Sequence, residues 1–174
     1  MATRPHVGKG LLAGWIGGLV GTWAMSEAQA LWSQAADGRR PHSAGGRHDA
    51  REWQERYEGQ NANELAPQAV ARATIGRRLT RDELEIAAPF SHYAFGSVTA
   101  AGYGALVEYE PAATAGYGTV FGGAVWAGAD ELAMPLLGLS RRDYPLEAHL
   151  QAFTAHLVYG VTTEAVRRLV RRAL

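Results

Sequence analysis

Charged residues divide this chain into long uncharged stretches and one densely charged one. No Asp, Glu, Lys or Arg lies from Gly10 to Ser26, Pro89 to Val107, Ala112 to Ala129 or Ala148 to Thr163. Between Asp37 and Glu85, by contrast, nine Arg alternate with nine acids. A bilayer-spanning helix needs about 20 mostly apolar residues. The apolar stretches therefore predict four spans, at about 9–32, 90–109, 114–139 and 146–166, with a polar insert at 33–88. The fold this implies is all-α: an integral membrane four-helix bundle in one domain, with a partly helical insert between helices 1 and 2.

The apolar stretches are rich in Gly and Ala, and the glycines are spaced. Gly14 and Gly18, Gly17 and Gly21, and Gly118 and Gly122 lie four apart. In a water-exposed helix each costs about 1 kcal/mol relative to Ala. Between helices in a bilayer, small residues at this interval let backbones approach. Aromatic residues sit near several segment ends, among them Trp15, Trp32, Tyr93, Tyr109, Tyr144 and Tyr159, as in an interfacial belt.

Within the insert, Asp37–Asp49 reads as a loop and Arg51–Tyr57 as a short amphipathic turn. Ala66–Leu79 reads as a helix lying on the membrane surface. Thr80 followed by Glu83 forms a capping box, so a helix starts at Arg81. Pro89 then falls at the entry to the second span, where a missing N–H is tolerated. Arg4, Lys9 and the apolar run before Ala28-Gln29-Ala30 are similar to a cleavable signal peptide, but a retained first helix is expected. Basic residues tight against the spans (Arg4, Lys9, Arg167, Arg168, Arg171, Arg172) favour cytoplasmic termini. A strict count over the insert favours the reverse.

Composition narrows the chemistry. Seventeen basic and 17 acidic residues leave no net charge, which speaks against nucleic acid as a partner. The absence of Cys removes disulfides, Cys-ligated zinc, iron–sulfur clusters and thiol catalysis.

The second half carries a long ordered pattern. It runs His92-Tyr93-Ala94-Phe95-Gly96, Gly102-Tyr103-Gly104, Glu108, Pro111, Phe121-Gly122, Trp126, Asp130-Glu131 and Pro135-Leu136-Leu137-Gly138-Leu139. It continues through Tyr144-Pro145, His149, Ala155-His156-Leu157-Val158-Tyr159-Gly160, Glu164 and Arg167-Arg168. This resembles the YagU-like family of small bacterial inner-membrane proteins, over roughly Pro67 to Arg172. The resemblance implies four helices in the bacterial inner membrane, multi-pass, and no assigned reaction.

Ionisable residues inside the expected spans are costly, about 2.5–3.5 kcal/mol each at a helix centre. Antiparallel packing brings Glu27, His92, Asp130, Glu131, His149 and His156 toward one face of the membrane. Counted along the helix, Asp130 lies about 13–14 Å deep and His156 about 15 Å, so they meet near mid-membrane. His149 and His156, seven apart, share a helix face. Glu108 and Glu164 fall near the opposite face, where Glu108 is expected to reach water.

Three readings of this cluster stand side by side: paired groups holding the bundle together, a proton-responsive site, or a divalent metal site. The metal candidates are His92, Asp130, Glu131, His149 and His156, although a Glu-x-x-His spacing is missing. No catalytic constellation emerges. The sequence thus points to a non-enzymatic membrane protein with a buried His/carboxylate cluster that answers to protons. The alternatives are an accessory subunit of a larger membrane complex, or homo-oligomer, and a membrane metalloprotein or metalloenzyme.

Overall fold

The computed structural model describes residues 5–39, 62–137 and 146–174, and these residues form helices and turns without a strand. Helix α1 (Val7–Arg39) covers the first expected span and continues for two turns beyond it. Helix α2 (Ala62–Ile75) replaces the expected 66–79 surface helix, starting and ending four residues earlier. It stops before Gly76, which takes the left-handed φ of 70°, and the Gln68 side chain brackets the backbone of Leu79 beyond, accepting from its N–H at 2.9 Å and donating to its carbonyl at 3.2 Å. The expected turn at 51–57 and most of the 37–49 loop lie outside the described residues.

Helix α3 (Arg81–Tyr109) begins at the capping box. Thr80 Oγ1 accepts from the Glu83 N–H at 3.3 Å, and Glu83 accepts from the Thr80 N–H at 2.8 Å. Pro89 sits inside this single 29-residue helix rather than at an entrance, at the cost of one backbone hydrogen bond.

The third expected span is corrected most. Pro111–Gly118 is a 3₁₀ segment in which Gly116, Tyr117 and Gly118 all take positive φ, 67°, 58° and 89°. Only then does α4 (Thr119–Trp126) begin. It widens into π-helical turns at Ala127–Ala133 and closes with the single turn α5 (Met134–Leu136). Helix α6 (Leu146–Ala173) carries the fourth expected span and runs to the end of the arginine tail.

Helix α1 is the centre, packed against α3 on one side and α6 on the other, and α6 in turn packs on α4. Glycines draw the lines of contact. A Cβ at Gly14 or Gly18 of α1 would collide with α3 at Ala100 and Gly96. A Cβ at Gly17 would lie 2.7 Å from the Thr163 carbonyl of α6. Gly118 and Gly122 press on the backbone of Gly160 and His156 in the same way. The two four-residue spacings in α1 thus serve two different neighbours.

The core that remains is small: Met25, Ala100, Ala155 and Tyr159, closed by Phe121 and Val125. The Tyr159 hydroxyl donates to the Gly96 carbonyl at 2.7 Å, tying α6 to α3. Large apolar side chains instead face outward, among them Leu12, Trp23, Phe95, Val98, Val120 and Leu150.

Among the described residues no helix is long and apolar enough to cross a membrane. Length is present in α1, α3 and α6. What keeps their mean apolarity down is the Gly, Ser, Thr and His content that the close packing uses, together with the ionisable residues.

Candidate functional site

Five of the six expected cluster residues come from three elements. Helix α3 supplies His92, the π-helical turns supply Asp130 and Glu131, and α6 supplies His149 and His156. The seven-residue interval on α6 places both histidines along the face that meets the π-helical turns. Two adjacent carboxylates then each find one histidine. His149 Nδ1 lies 2.6 Å from Glu131 Oε1, and His156 Nδ1 lies 3.7 Å from Asp130 Oδ2. Such wide turns recur at functional sites.

The two pairs differ in kind. His149–Glu131 is a short hydrogen-bonded contact with both side chains about one-third exposed. His156–Asp130 is deeper, His156 being buried, and 3.7 Å is an electrostatic distance rather than a hydrogen bond. The hydrogen bond of His156 Nδ1 goes to the Ala152 carbonyl at 2.9 Å. A carbonyl only accepts, so Nδ1 carries the proton and Nε2 is the atom free to gain one.

His92 is the odd member. It lies within electrostatic reach of His156, and its Nε2 is buried without a hydrogen-bond partner. Glu27 is exposed on α1 and joins neither pair. Its side chain turns away from the bundle.

The metal set named from the sequence does not assemble. Among the described residues, no three His, Asp or Glu side chains come together as a group able to hold a metal ion. The arrangement holds two His–carboxylate pairs and one unpartnered imidazole. Its chemistry is proton gain and loss on imidazole rings set beside carboxylates.

At the other end of the helices the structure holds a network that the sequence reading passed over. Glu164 is fully buried, yet it accepts from Arg167 at 2.7 and 2.9 Å, from the Tyr103 hydroxyl at 2.9 Å, and from Arg168. Glu108, expected to reach water, is instead clasped by Arg171 at 2.5 and 2.9 Å and by the His6 N–H at 3.0 Å. Arg168 also lies 4.1 Å above the Tyr117 ring, beside the strained left-handed turn. Lys9 reaches the carbonyl of Leu174 and joins the two chain ends. The signal was present: Arg167, Arg168 and Arg171 follow Glu164 by three, four and seven residues, all on its side of the helix.

A family described as a protein of unknown function, DUF1440, matches residues 68–165, more than half of the chain. The match contains His92, Asp130, Glu131, His149, His156 and Glu164, and leaves out all of α1 and the arginine tail. No curated protein and no solved structure matches the chain. The chain belongs to the DUF1440 family of proteins of unknown function.

Proposed function

We propose that this chain is a multi-pass protein of the bacterial inner membrane in which the His/carboxylate pairs couple protonation to helix packing. One observation carries the membrane half of the reading: the side chains are arranged inside out for water. Val98 is 68% exposed and Val120 61%, while Glu164 at the bundle centre is 0% exposed. In water, apolar area left outside forfeits about 25 cal/mol per Å². In lipid there is no such penalty, and glycine contacts with buried polar groups are what hold helices together. The low mean apolarity of the helices follows from that same glycine and polar content. The resemblance to YagU-like proteins supplies the compartment.

The reading is tested by fractionation. The protein is expected in the membrane pellet after an alkaline carbonate wash, released only by detergent. A monodisperse preparation without detergent would overturn it.

For the proton half, the support is the set of imidazole nitrogens facing Asp130 and Glu131. Imidazole titrates near neutrality when unperturbed, so a transition between about pH 5 and 8 is expected in Trp126 fluorescence. Trp126 packs edge-on against Phe153 of α6, one turn from His149 and His156, and so reports on that helix contact. His156→Gln and His92→Gln should move or remove the transition. An unchanged profile in both sinks the proton reading and leaves the membrane one standing.

A further inference from the structure

Four arginines crowd the last turns of α6: Arg167, Arg168, Arg171 and Arg172. At three, four, seven and eight residues from Glu164, they rise along one side of the helix. Two carboxylates meet them. Glu164 takes Arg167 and Arg168, and Glu108 takes Arg171. Both acids lie beneath their cations, with side chains 0% and 9% exposed against 29% for Arg168 and 27% for Arg171. Arg172 is exposed and has no acidic partner among the described residues. Glu110, exposed at the end of α3, accepts from the Ala112 N–H at 3.2 Å and joins no arginine among them. Lys9 is engaged by the Leu174 carbonyl. Four guanidinium groups against two carboxylates leave two positive charges, and they lie on the outer side. Arg168 is the surplus cation at Glu164, which already has two bonds from Arg167 and one from Tyr103. Arg168 gives that carboxylate its Nε, and its guanidinium lies 4.1 Å above the Tyr117 ring. Tyr117 holds a left-handed φ of 58° between two glycines of positive φ. A strained turn thus sets an aromatic face under an arginine that the buried acid does not need.

We infer that Arg168, Arg171 and Arg172, backed by Tyr117, form a site for the phosphate of an anionic phospholipid headgroup. A guanidinium presents paired N–H donors that match two phosphate oxygens, and stacking on an aromatic face fixes the plane of that fork. Arg171 spends Nε and Nη2 on Glu108 and keeps Nη1. Charge selects the head. An anionic phosphodiester brings a negative charge to a surface with two positive charges in surplus. In a choline headgroup the phosphate carries its own quaternary ammonium, which that surplus repels. The surface also favours a lipid over a free phosphate: Val120, one turn past Tyr117 on α4, is a large apolar side chain facing outward where acyl chains would lie. The lipid source rests on the membrane reading, but the test below reads bound lipid rather than partition into a membrane.

Native mass spectra of the full chain in detergent read the bound lipid, with phosphatidylglycerol, phosphatidylcholine and soluble glycerol phosphate as probes. Phosphatidylglycerol should bind about tenfold more tightly than phosphatidylcholine, the combined weight of more than one interfacial arginine. Arg172 makes no hydrogen bond or ion pair among the described residues, so Arg172→Gln spares the fold. It should weaken phosphatidylglycerol about fivefold, the weight of one such arginine. Arg168→Lys keeps the charge but loses the fork and the stack, and should weaken it about threefold. Arg78→Gln removes an equal charge at the histidine end and should change nothing. Equal binding of the two lipids, unchanged affinity in Arg172→Gln or Arg168→Lys, or an equal loss in Arg78→Gln overturns the proposal. So does displacement of the lipid by glycerol phosphate at equal concentration, which would make a soluble phosphate the occupant. A chain that stays in the membrane pellet yet ignores the head sinks this inference alone. One that is monodisperse without detergent yet selects the anionic head sinks the membrane reading alone.

Discussion

The two ends of this bundle both hold carboxylates, and they treat them in opposite ways. At the arginine end Glu164 has three side-chain donors and Glu108 has a bidentate Arg171 with a backbone N–H besides. Those cations hold their charge at every accessible pH. At the histidine end each carboxylate has one imidazole partner, one contact is 3.7 Å long, and His92 Nε2 has none. Packing follows the same division. Gly118 and Gly160 interlock near Glu164, whereas Gly128 beside Asp130 has open space around it. The carboxylates of one end are saturated by fixed cations; those of the other are under-satisfied. A site that changes state belongs at the second.

The largest test of this contrast is Glu164→Ala. It leaves the buried Arg167 guanidinium without its carboxylate, and an uncompensated buried charge of that kind costs about 3–5 kcal/mol. Thermal unfolding in detergent should show the loss. Adding Arg167→Met and Arg168→Met should recover most of it, since apolar replacement of a whole buried ion group is often neutral. A loss under about 1 kcal/mol would place Glu164 among ordinary surface ion pairs and erase the difference between the ends.

The glycines give the next measurement. Gly122→Ala drives a methyl into the His156 carbonyl and should cost about 1–3 kcal/mol. Gly128→Ala meets nothing and should stay within about 0.5 kcal/mol of the parent. Equal effects would mean that α4 and the π-helical turns are packed alike, against the geometry.

What the sequence made legible follows period and spacing. The four-residue glycine intervals, the Thr80–Glu83 cap and the facing of His149 and His156 toward Asp130 and Glu131 all lie in one-dimensional order. What it hid depends on rotation. Position along a helix says nothing of azimuth, and the Glu27 side chain points out. The π-helical turns leave no period to read, because Ala127–Ala133 holds too few side chains of contrasting polarity. The arginine tail beyond the expected span end at 166 is the continuation of α6. Its register already matched Glu164.

A smaller effect is expected at the rim of the histidine end. His149 and Glu131 are 31% and 36% exposed, so Glu131→Gln should cost no more than about 1 kcal/mol despite the 2.6 Å contact. A loss rivalling that of Glu164→Ala would show that this pair is a clamp after all and would move the switching role to His92 and His156 alone.

The smallest effect lies outside both ends, in the cap of α3, and it calibrates them. Arg77 donates twice to Glu83 at 2.7 Å, and the Thr80 N–H adds a third bond. The Arg77 hydrogen bonds first, and then the Thr80 N–H, hold the Glu83 carboxyl down to about 2. A depressed carboxylate contributes stability above its unfolded value, near 4.3, and loses it as pH falls toward 2. Glu83→Gln should therefore narrow the stability difference between pH 5 and about pH 2 while leaving any transition near neutrality untouched. The side chains are exposed and salt screens them, so the change should shrink further at high ionic strength. A shift of the neutral-pH transition in Glu83→Gln would show that the cap of α3 is coupled to His92, eleven residues from Arg81 along the same helix, and that the histidine end extends farther than its own contacts.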